Sequence, residues 1–487
     1  MLAGGVAARE AAEDRVPDVR LFFEAAARDD SQARAALDAI AGAWRDAYAA
    51  LILDLARFFP PVRRPTVSGD VPEIAPDGDA RGRIDRGFEP AFPPATGFDP
   101  GSLVRQRLTR FLEKQTGRRH GDDLRAWRRW LWSRPYEPHP DYLLFKAMLY
   151  QEIDPRMAGF FPPGARALIR LDEIDWGGVK VNGIPPLDHS KTIPASAAGW
   201  LKDKHVVFGI ALGGETRAYP KRILAWHELA RDRLGGVELT IVYCTLCGTV
   251  IPYASEVGGV RRTFGTSGLL YRSNKLLFDE ETMSLWSTLE GRPVVGSLAG
   301  SGLELRAFPV VTTTWREWRS AHPETTVVSL ETGYDRDYSE GAAYRDYFAT
   351  DRIMFEVPRT DPRLKNKDEV LGLLLRPAGA GSDAPRRAIA LSVDFLARHP
   401  LHRLSFAGRD LVAVTSRDGA NRVYETGGVH FTRVLAGAVE DAAGGRWRVT
   451  EDALVHEATG EQRERVPAHR AFWFGWYAQF PETELVE

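Results

Sequence analysis

Cysteine is almost absent from this chain, with two in 487 residues, so any thiol chemistry has to involve that pair. Excess charge of one sign is also lacking. The formal net charge is −2 at pH 7, and no dense basic cluster is interleaved with aromatic residues, so nucleic acid is not an expected partner. The longest apolar candidate, residues 47–59, is interrupted by Asp54 and Arg57. The sequence therefore predicts no membrane span.

A secretory leader is not visible, because residues 1–10 have neither a basic start nor an apolar stretch, and the expectation is a cytoplasmic protein. Walker, G-x-S-x-G and G-x-G-x-x-G patterns are missing in suitable contexts, which leaves nucleotide-binding, hydrolase and dinucleotide-binding functions without support. What is present is an ordinary globular composition, 44% hydrophobic and 27% charged. The length is sufficient for two or three domains.

Both cysteines lie in one C-x-x-C motif, formed by Cys244 and Cys247, directly after the strand-like residues 237–242. β-Branched residues and a proline follow, so the motif is predicted to form a tight turn between two strands. A thioredoxin-type motif would instead open a helix. Gly248 would let backbone N–H groups point at the sulfurs, as in metal-binding knuckles. Two uses stay open: the pair shares a metal ion, or it cycles with a disulfide.

The leading hypothesis is a metal site formed by Cys244, Cys247 and His227, because two thiolates alone do not fill a tetrahedral site. His227 lies at the predicted end of a short helix that leads into the strand before the cysteines. Glu228 beside it would orient the imidazole or ligate directly. These four residues are the candidate catalytic residues. A fourth protein ligand, Glu228 or His189, would make the site structural instead.

Thiolates combined with an imidazole favour zinc or copper over iron as the cofactor. With copper or iron the protein would be a metal-dependent oxidoreductase, and with zinc it would activate water or a thiolate. Two alternatives remain. One is a metal-free thiol–disulfide protein with a reducible bond between the two cysteines, and the other is a non-catalytic binding or scaffold module. The expected partner is an unknown small-molecule substrate or a redox protein.

Local sequence patterns divide the chain into helical, linker and β-rich segments. Residues 1–60 are predicted to be a helical segment in which apolar side chains recur at three- and four-residue steps. Residues 61–101 are rich in proline and glycine and are typical of a linker, and residues 102–163 are again helical. From residue 164 the chain changes to short β-rich runs separated by turns. The predicted fold class is α+β, with an N-terminal α-helical domain followed by a mostly-β domain.

The β-rich part is predicted to be two pseudo-repeated halves, residues 164–335 and 336–487. Trp315 and Trp318 in the first half match Trp473 and Trp476 in the second, each pair on a short helix that ends before a proline. The two cysteines have no counterpart, because the second half has Ser416 and Gly419 in their place. A site present in one copy only indicates a function, whereas the tryptophans shared by both copies indicate residues that determine the fold.

A substrate-facing loop is predicted at residues 264–274, where glycines give backbone freedom and Ser267, Ser273 and Asn274 offer short hydrogen-bonding side chains. The alternative is a glycine-rich β-turn whose serine and asparagine side chains cap their own backbone. Arg217 and Tyr219 are candidates for binding an anionic substrate, although such residues more often make structural contacts.

An ordered series of motifs resembles a bacterial family catalogued as domain of unknown function 3179, from about Asp175 to the C-terminus. In this sequence the motifs are Ile184–Asp188, Arg217–Pro220, Ile223–Glu228, Tyr243–Thr249, Phe264–Tyr271, Ser273–Asn274 and Ser284–Ser287. The resemblance implies no particular activity, and many members resemble secreted proteins or lipoproteins. This chain departs from the family pattern at Thr245, where proline is usual, and at Arg272, where asparagine is common.

Overall fold

A computed structural model describes residues 16–59, 100–381 and 383–487. The chain divides into two compact units. The first comprises residues 1–180 with 295–297, and the second comprises residues 181–294 and 298–487. The predicted linker, 61–101, lies almost entirely outside the described residues.

Helices dominate the first unit, as predicted for the N-terminal part of the chain. Aspartates begin several of them, because a side-chain oxygen at the N-cap accepts a free backbone N–H: Asp29 from Gln32 at 2.8 Å and Asp123 from Ala126 at 2.9 Å. The α-helices are α1 (Val19–Ala25), α2 (Asp30–Ala41), α3 (Ala49–Ala56), α4 (Pro100–Thr116), α5 (Leu124–Trp132) and α6 (Tyr142–Gln151). Short 3-10 helices cover Asp46–Tyr48, Pro155–Phe160 and Leu171–Glu173, and the strands are β1 (Arg166–Ala167) and β2 (Ile174–Trp176).

A buried ion pair holds the helices of this unit together. Asp54 on α3 lies 2.6 Å from the ammonium of Lys146 on α6, whose side chain is completely buried, and it accepts a hydrogen bond from the hydroxyl of Tyr142 at 2.7 Å. Burial lowers the pKa of Lys146, and the carboxylate of Asp54 acts in the opposite direction. The lysine therefore depends on this aspartate to remain charged inside the unit.

The second unit is mostly β-structure, as predicted for the remainder of the chain. Its first strands are β3 (Leu187–Asp188), β4 (Thr192–Pro194), β5 (Val206–Leu212), β6 (Glu215–Pro220), β7 (Leu229–Leu234), β8 (Val237–Cys244), β9 (Thr249–Ala254), β10 (Glu256–Val257), β11 (Val260–Arg261), β12 (Phe264–Tyr271), β13 (Asn274–Asp279), β14 (Leu285–Ser287), β15 (Arg292–Gly296, whose last two residues are assigned to the first unit), β16 (Val311–Thr314) and β17 (Thr326–Val328).

The remaining strands are β18 (Glu369–Leu375), β19 (Arg387–Ser392), β20 (Leu401–Phe406), β21 (Arg409–Thr415), β22 (Asn421–Glu425), β23 (Phe431–Leu435), β24 (Ala438–Asp441), β25 (Arg446–Val449), β26 (Ala453–His456), β27 (Gln462–Val466), β28 (His469–Phe472) and β29 (Glu484–Val486). The helices of this unit are α7 (Lys221–His227), α8 (Trp315–Ala321), α9 (Arg345–Phe348), α10 (Val393–Arg398) and α11 (Trp473–Gln479), with a 3-10 helix at Ala195–Ala197. Among the described residues, no helix combines the length and the apolar character needed to cross a bilayer.

Two sheets of this unit share a strand order. One runs β16-β5-β6-β17, with β4 added beyond β17, and the other runs β28-β18-β19-β29. In each sheet the first three strands are antiparallel and the last pairs in parallel. A further sheet, β3-β7-β8-β9, carries the two cysteines at the hairpin between β8 and β9.

Each of the two sheets packs a tryptophan ring against a glycine. A Cβ added at Gly209 would lie 2.2 Å from the ring of Trp318, and one at Gly372 would lie 2.3 Å from the ring of Trp476. The indole N–H groups donate to Thr325 and Thr483 respectively, both at 2.9 Å. The glycines therefore make room for fully buried tryptophans.

Replacing one of these glycines is expected to destabilise the second unit strongly. Gly372→Ala should lower the free energy of unfolding by about 3 kcal/mol, at the upper end of overpacking costs, because the methyl group and the Trp476 ring cannot occupy the same space. Chemical denaturation measures this. Gly381→Ala is the matched control, since nothing lies within 4 Å of its added Cβ. Equal effects of the two substitutions would contradict this packing.

Candidate functional site

The C-x-x-C motif forms a tight turn between two antiparallel strands, as predicted. Cys244 is the last residue of β8 and pairs with Thr249, the first of β9. The turn closes through a backbone hydrogen bond from Cys247 N to Cys244 O at 3.2 Å. Gly248 follows with a φ of 64°, a left-handed conformation that favours glycine. The turn therefore holds Cys244 and Cys247 close together.

The surroundings of Cys244 lower the pKa of its thiol. Its side chain is 2% exposed, and burial alone would raise its pKa. Hydrogen bonds to the sulfur outweigh that effect and lower the pKa of Cys244. The groups responsible are the Cys247 side chain and the backbone N–H groups of Lys275, Cys247 and Leu246. N–H groups aimed at a sulfur stabilise its charged form.

Cys247 has the environment of a protonated thiol. Burial raises its pKa well above the ordinary value and the neighbouring Cys244 sulfur raises it further, whereas the side-chain amide of Asn274 acts in the opposite direction. Its Sγ lies 3.2 Å from the carbonyl oxygen of Ser273, which accepts from it. The two thiols are free, chemically unequal and within hydrogen-bonding reach of each other.

Glu228 is joined to this turn by hydrogen bonds. It ends α7 in a left-handed conformation, with a φ of 58°, which sends its carboxylate into the interior. One oxygen accepts from the hydroxyls of Thr245 at 2.7 Å and Tyr344 at 2.8 Å, and the other pairs with the ammonium of Lys275. Thr245 thus links the cysteine turn to Glu228.

Lys275 contacts the site through both ends of the residue. Its backbone N–H helps to lower the pKa of the Cys244 thiol, and its side chain forms the buried ion pair with Glu228. Burial lowers the pKa of Lys275 to about 7. A buried ion pair therefore lies beside the thiols.

Aromatic side chains cover the cysteines. The Tyr347 hydroxyl donates to the carbonyl oxygen of Leu246 at 2.7 Å, and Phe472 and Phe474 pack in the same cluster. Gly475 on α11 faces Cys247 closely, because a Cβ there would lie 3.0 Å from its Sγ. Cys247 has no exposed surface, so a reagent reaches the sulfurs only when part of this cover moves.

His227 does not join the cysteines. Its Nδ1 lies 2.9 Å from the carbonyl oxygen of Pro185 and its Nε2 lies 2.5 Å from the hydroxyl of Tyr338. Both ring nitrogens are thus engaged elsewhere. Across the part of the chain that the structure describes, no three histidine, cysteine or acidic side chains are grouped so that they could hold a metal ion. His189, the other candidate, is exposed and lines a separate cavity of about 210 Å³ with Arg231 and Arg262.

The position of His227 predicts acid sensitivity. Burial lowers its pKa from 6.5 to about 4. The folded state resists protonation of His227. The stabilisation that the neutral ring contributes to folding is therefore complete above about pH 6.5 and is lost as the pH falls toward 4. We expect His227→Phe to flatten the pH dependence of the free energy of unfolding by about 2 to 3 kcal/mol between about pH 7 and 4.5. Tyr338→Phe keeps the titrating ring and is the control; equal slopes for wild type and His227→Phe would refute the assignment.

The predicted substrate-binding residues are engaged in the fold. Arg217 pairs with Asp232 at 2.7 Å, and the Tyr219 hydroxyl donates to the same carboxylate at 2.7 Å. Ser267 is fully buried and donates to Leu276 O at 2.6 Å. The prediction of a loop at 264–274 is wrong, because these residues form β12 and the turn into β13, with an irregular register between Thr266 and Leu270.

Ser273 and Asn274 do lie at the site, although against the cysteines and not on a substrate-facing surface. Arg272 donates to the carbonyl oxygen of Ala478 at 2.9 Å. Sequence reasoning did not identify Lys275, Tyr344, Tyr347 or Gly475. The tyrosines lie about a hundred residues after the motif in the sequence and carry no local signal. Gly475 had one, since it stands between two tryptophans where the matched helix has Glu317.

Comparison with known proteins gives one match. The family model described as a protein of unknown function, DUF3179, matches residues 181–483. Neither the curated proteins nor the solved structures give a match. The matched residues make up more than half of the chain and include the cysteine pair with Glu228, Lys275 and Gly475. The chain therefore belongs to the DUF3179 family.

Proposed function

We propose that Cys244 and Cys247 form a metal-free thiol–disulfide redox centre, with Cys244 as the attacking thiolate and Cys247 as the resolving thiol. The observation that carries this proposal is the unequal surroundings of the two sulfurs. Cys247 donates its thiol proton to Ser273 O at 3.2 Å, whereas the polar groups around Cys244, which include the backbone N–H groups of Lys275, Cys247 and Leu246, lower its pKa. A pair used in thiol exchange needs this inequality, because one sulfur attacks while the other waits protonated.

The reaction consumes a disulfide substrate, R–S–S–R′. The Cys244 thiolate attacks one sulfur, forms a mixed disulfide and releases R′–S⁻. Cys247 then loses its proton and attacks Cys244 Sγ, the bond to R–S breaks, and one proton in all is delivered to the departing thiolates. Two electrons pass from the protein to the substrate, and the products are two small thiol species and a Cys244–Cys247 disulfide. The reverse sequence reduces the protein.

The zinc or copper site predicted from the sequence has weaker support. A structural zinc site takes four protein ligands and a catalytic one takes three, while the described residues offer two thiolates in one place. His227 would have to break two hydrogen bonds and turn its ring to become a third ligand. A metal-dependent oxidoreductase is therefore retained only as an outcome of the test below.

The proposal includes the two pseudo-repeated halves that the sequence predicts. In this interpretation the dithiol belongs to the first half only. Its support is the shared order β16-β5-β6-β17 and β28-β18-β19-β29. The turn after β21 corresponds to the cysteine turn, with Thr415 paired to Asn421 as Cys244 is to Thr249. At the turn after β21, Glu317 accepts a hydrogen bond from the Ser416 hydroxyl at 2.8 Å. Glu317 on α8 matches Gly475 on α11, which lies against Cys247.

Access to the thiols is expected to depend on the aromatic cover. Tyr347→Phe removes the hydrogen bond to Leu246 O and should speed alkylation of Cys244 by about three- to tenfold, the equivalent of one net hydrogen bond of about 1 kcal/mol. The measurement is the rate of labelling by a small alkylating reagent. Tyr334→Phe, at an exposed tyrosine, is the control. Unchanged rates in both variants would show that the cover opens by another route.

The experiment that tests the function combines intact-mass and elemental analysis of protein purified without chelator. After mild oxidation the wild-type chain should lose two hydrogens and both titratable thiols, and a reductant should restore them. Cys244→Ser and Cys247→Ser should show no such loss. A stoichiometric metal ion that disappears in either cysteine variant would overturn the proposal in favour of the metal site. Thiols that stay reduced in wild type and in Tyr347→Phe would overturn it as well.

A further inference from the structure

Asn274 is fixed beside the thiols by the hairpin that joins β12 and β13. The turn consists of Arg272 and Ser273, both with positive φ, 49° and 65°. Two consecutive residues of this kind form a tight primed turn, which fixes the first residue of the returning strand. That residue is Asn274, 4% exposed, and the carbonyl oxygen that accepts from the Cys247 thiol belongs to the residue before it.

The side chain of Asn274 is held at one end and unpaired at the other. Its Oδ1 accepts from the hydroxyl of Thr288, which also contacts the carbonyl oxygen of Lys275 at 2.9 Å. Its Nδ2 is buried, and within the described residues it satisfies no geometric hydrogen bond. The Cys247 sulfur is the group on which the amide acts electrostatically. A buried donor without an acceptor destabilises the resting state.

We infer that Asn274 is a catalytic residue of the redox centre, whose Nδ2 donates a hydrogen bond to the Cys247 sulfur once that sulfur has become a thiolate. This inference rests on the proposed thiol–disulfide function. In the resting state the Cys247 proton points to Ser273 O or to the Cys244 sulfur. In the mixed disulfide Cys244 no longer carries a negative charge, so a different group has to stabilise the second thiolate. Asn274 offers a buried, unpaired N–H donor beside that sulfur.

The step itself moves one proton and one electron pair. Cys247 gives its proton to the thiolate released in the first step, its sulfur attacks Cys244 Sγ, and the bond between Cys244 and the substrate sulfur breaks with the electron pair leaving on the substrate. Asn274 neither gains nor loses a proton. It stabilises the attacking thiolate, so its loss should slow resolution and leave the first attack by Cys244 unchanged.

A rapid-mixing experiment separates the two steps. Reduced protein is mixed with an aromatic disulfide reagent that releases a coloured thiolate, and wild type should release one equivalent for each step. We expect Asn274→Leu to slow the second release about tenfold, with the first release unchanged and the pH midpoint of the second raised. Asn274→Asp, which replaces the donor by an acceptor, should slow it further. Thr288→Val, which loosens the hold on Asn274, should give an intermediate rate.

The outcomes are distinguishable. If wild type releases two equivalents and both asparagine variants match its second phase, the role of Asn274 is refuted and the redox function stands. If wild type releases one equivalent and keeps a stable mixed disulfide, the proposed function itself is refuted. If Asn274→Leu does not fold, the test rests on Thr288→Val and Asn274→Asp, and a second phase as fast as wild type in both would refute the role.

Discussion

Cys247→Ser is expected to accumulate as a mixed disulfide, whereas Cys244→Ser is expected to be inert toward the same disulfide reagent. The reason is the division of roles between the sulfurs. Cys244 retains the backbone N–H groups that lower its pKa in the Cys247→Ser variant and can still attack, although without the neighbouring thiol its pKa should rise. The serine at 247 cannot resolve the adduct. In Cys244→Ser the remaining thiol is Cys247, whose pKa burial raises well above the ordinary value.

Intact-mass analysis after mixing with the reagent measures both results. The Cys247→Ser chain should gain the mass of one reagent half and keep it until a reductant is added. The Cys244→Ser chain should stay at its own mass. The reverse pattern, with Cys247 forming the stable adduct, would exchange the two roles and contradict the hydrogen-bond assignment.

Asp54→Ala is expected to lower the free energy of unfolding of the helical unit by about 3 to 5 kcal/mol, the cost of leaving a buried charge without its partner. Lys146 has no exposed surface and its ammonium lies 2.6 Å from Asp54. The substitution also leaves the Tyr142 hydroxyl without its acceptor. Neutralising the lysine is the remaining way for the unit to relax, and its lowered pKa shows that burial already favours that form.

Denaturation followed by a helix-sensitive signal checks this value. Asp30→Ala is the matched control, because it removes an aspartate that pairs with Arg107 at 2.9 Å but is 69% exposed. Exposed pairs contribute about 0 to 1 kcal/mol. Similar losses for Asp54→Ala and Asp30→Ala would contradict the view that the interior ion pair holds this unit together.

Local sequence features predicted the cysteine turn correctly. A strand-like run, two cysteines three residues apart and a following glycine are all neighbours in the chain, and so are the contacts they form. The helical periodicity of the N-terminal part and the strand-like runs of the remainder are local signals of the same kind. These parts of the fold follow from short-range patterns.

The direction of the His227 ring could not be predicted in this way. Closeness in sequence places His227 near the strand that leads to Cys244, but the reversal of the chain at Glu228 sends the carboxylate toward the turn and leaves the imidazole with Tyr338. Tyr338 lies 111 residues away in the sequence. A ligand set depends on which of two adjacent side chains points inward, and tertiary contacts decide that.

Glycines misled the prediction for residues 264–274. Gly265 predicts a loop, yet it lies within β12. Glycine is needed there because an added Cβ would lie 2.6 Å from the ring of Phe278 and 2.5 Å from the Asn182 side chain. Gly268, with a φ of 79°, accompanies the irregular register of β12. A glycine within a strand often marks a close approach or a bulge, and sequence alone does not distinguish that from a turn.

The most direct test of the account is the pH dependence of alkylation at each cysteine, resolved by peptide mapping of wild type and of Cys247→Ser. We predict that Cys244 reacts first, with a midpoint below that of a free thiol, that Cys247 reacts only at much higher pH, and that the Cys244 midpoint rises in Cys247→Ser. Equal rates and a common midpoint for the two thiols, or faster labelling of Cys247, would contradict the unequal pair on which the proposed chemistry depends.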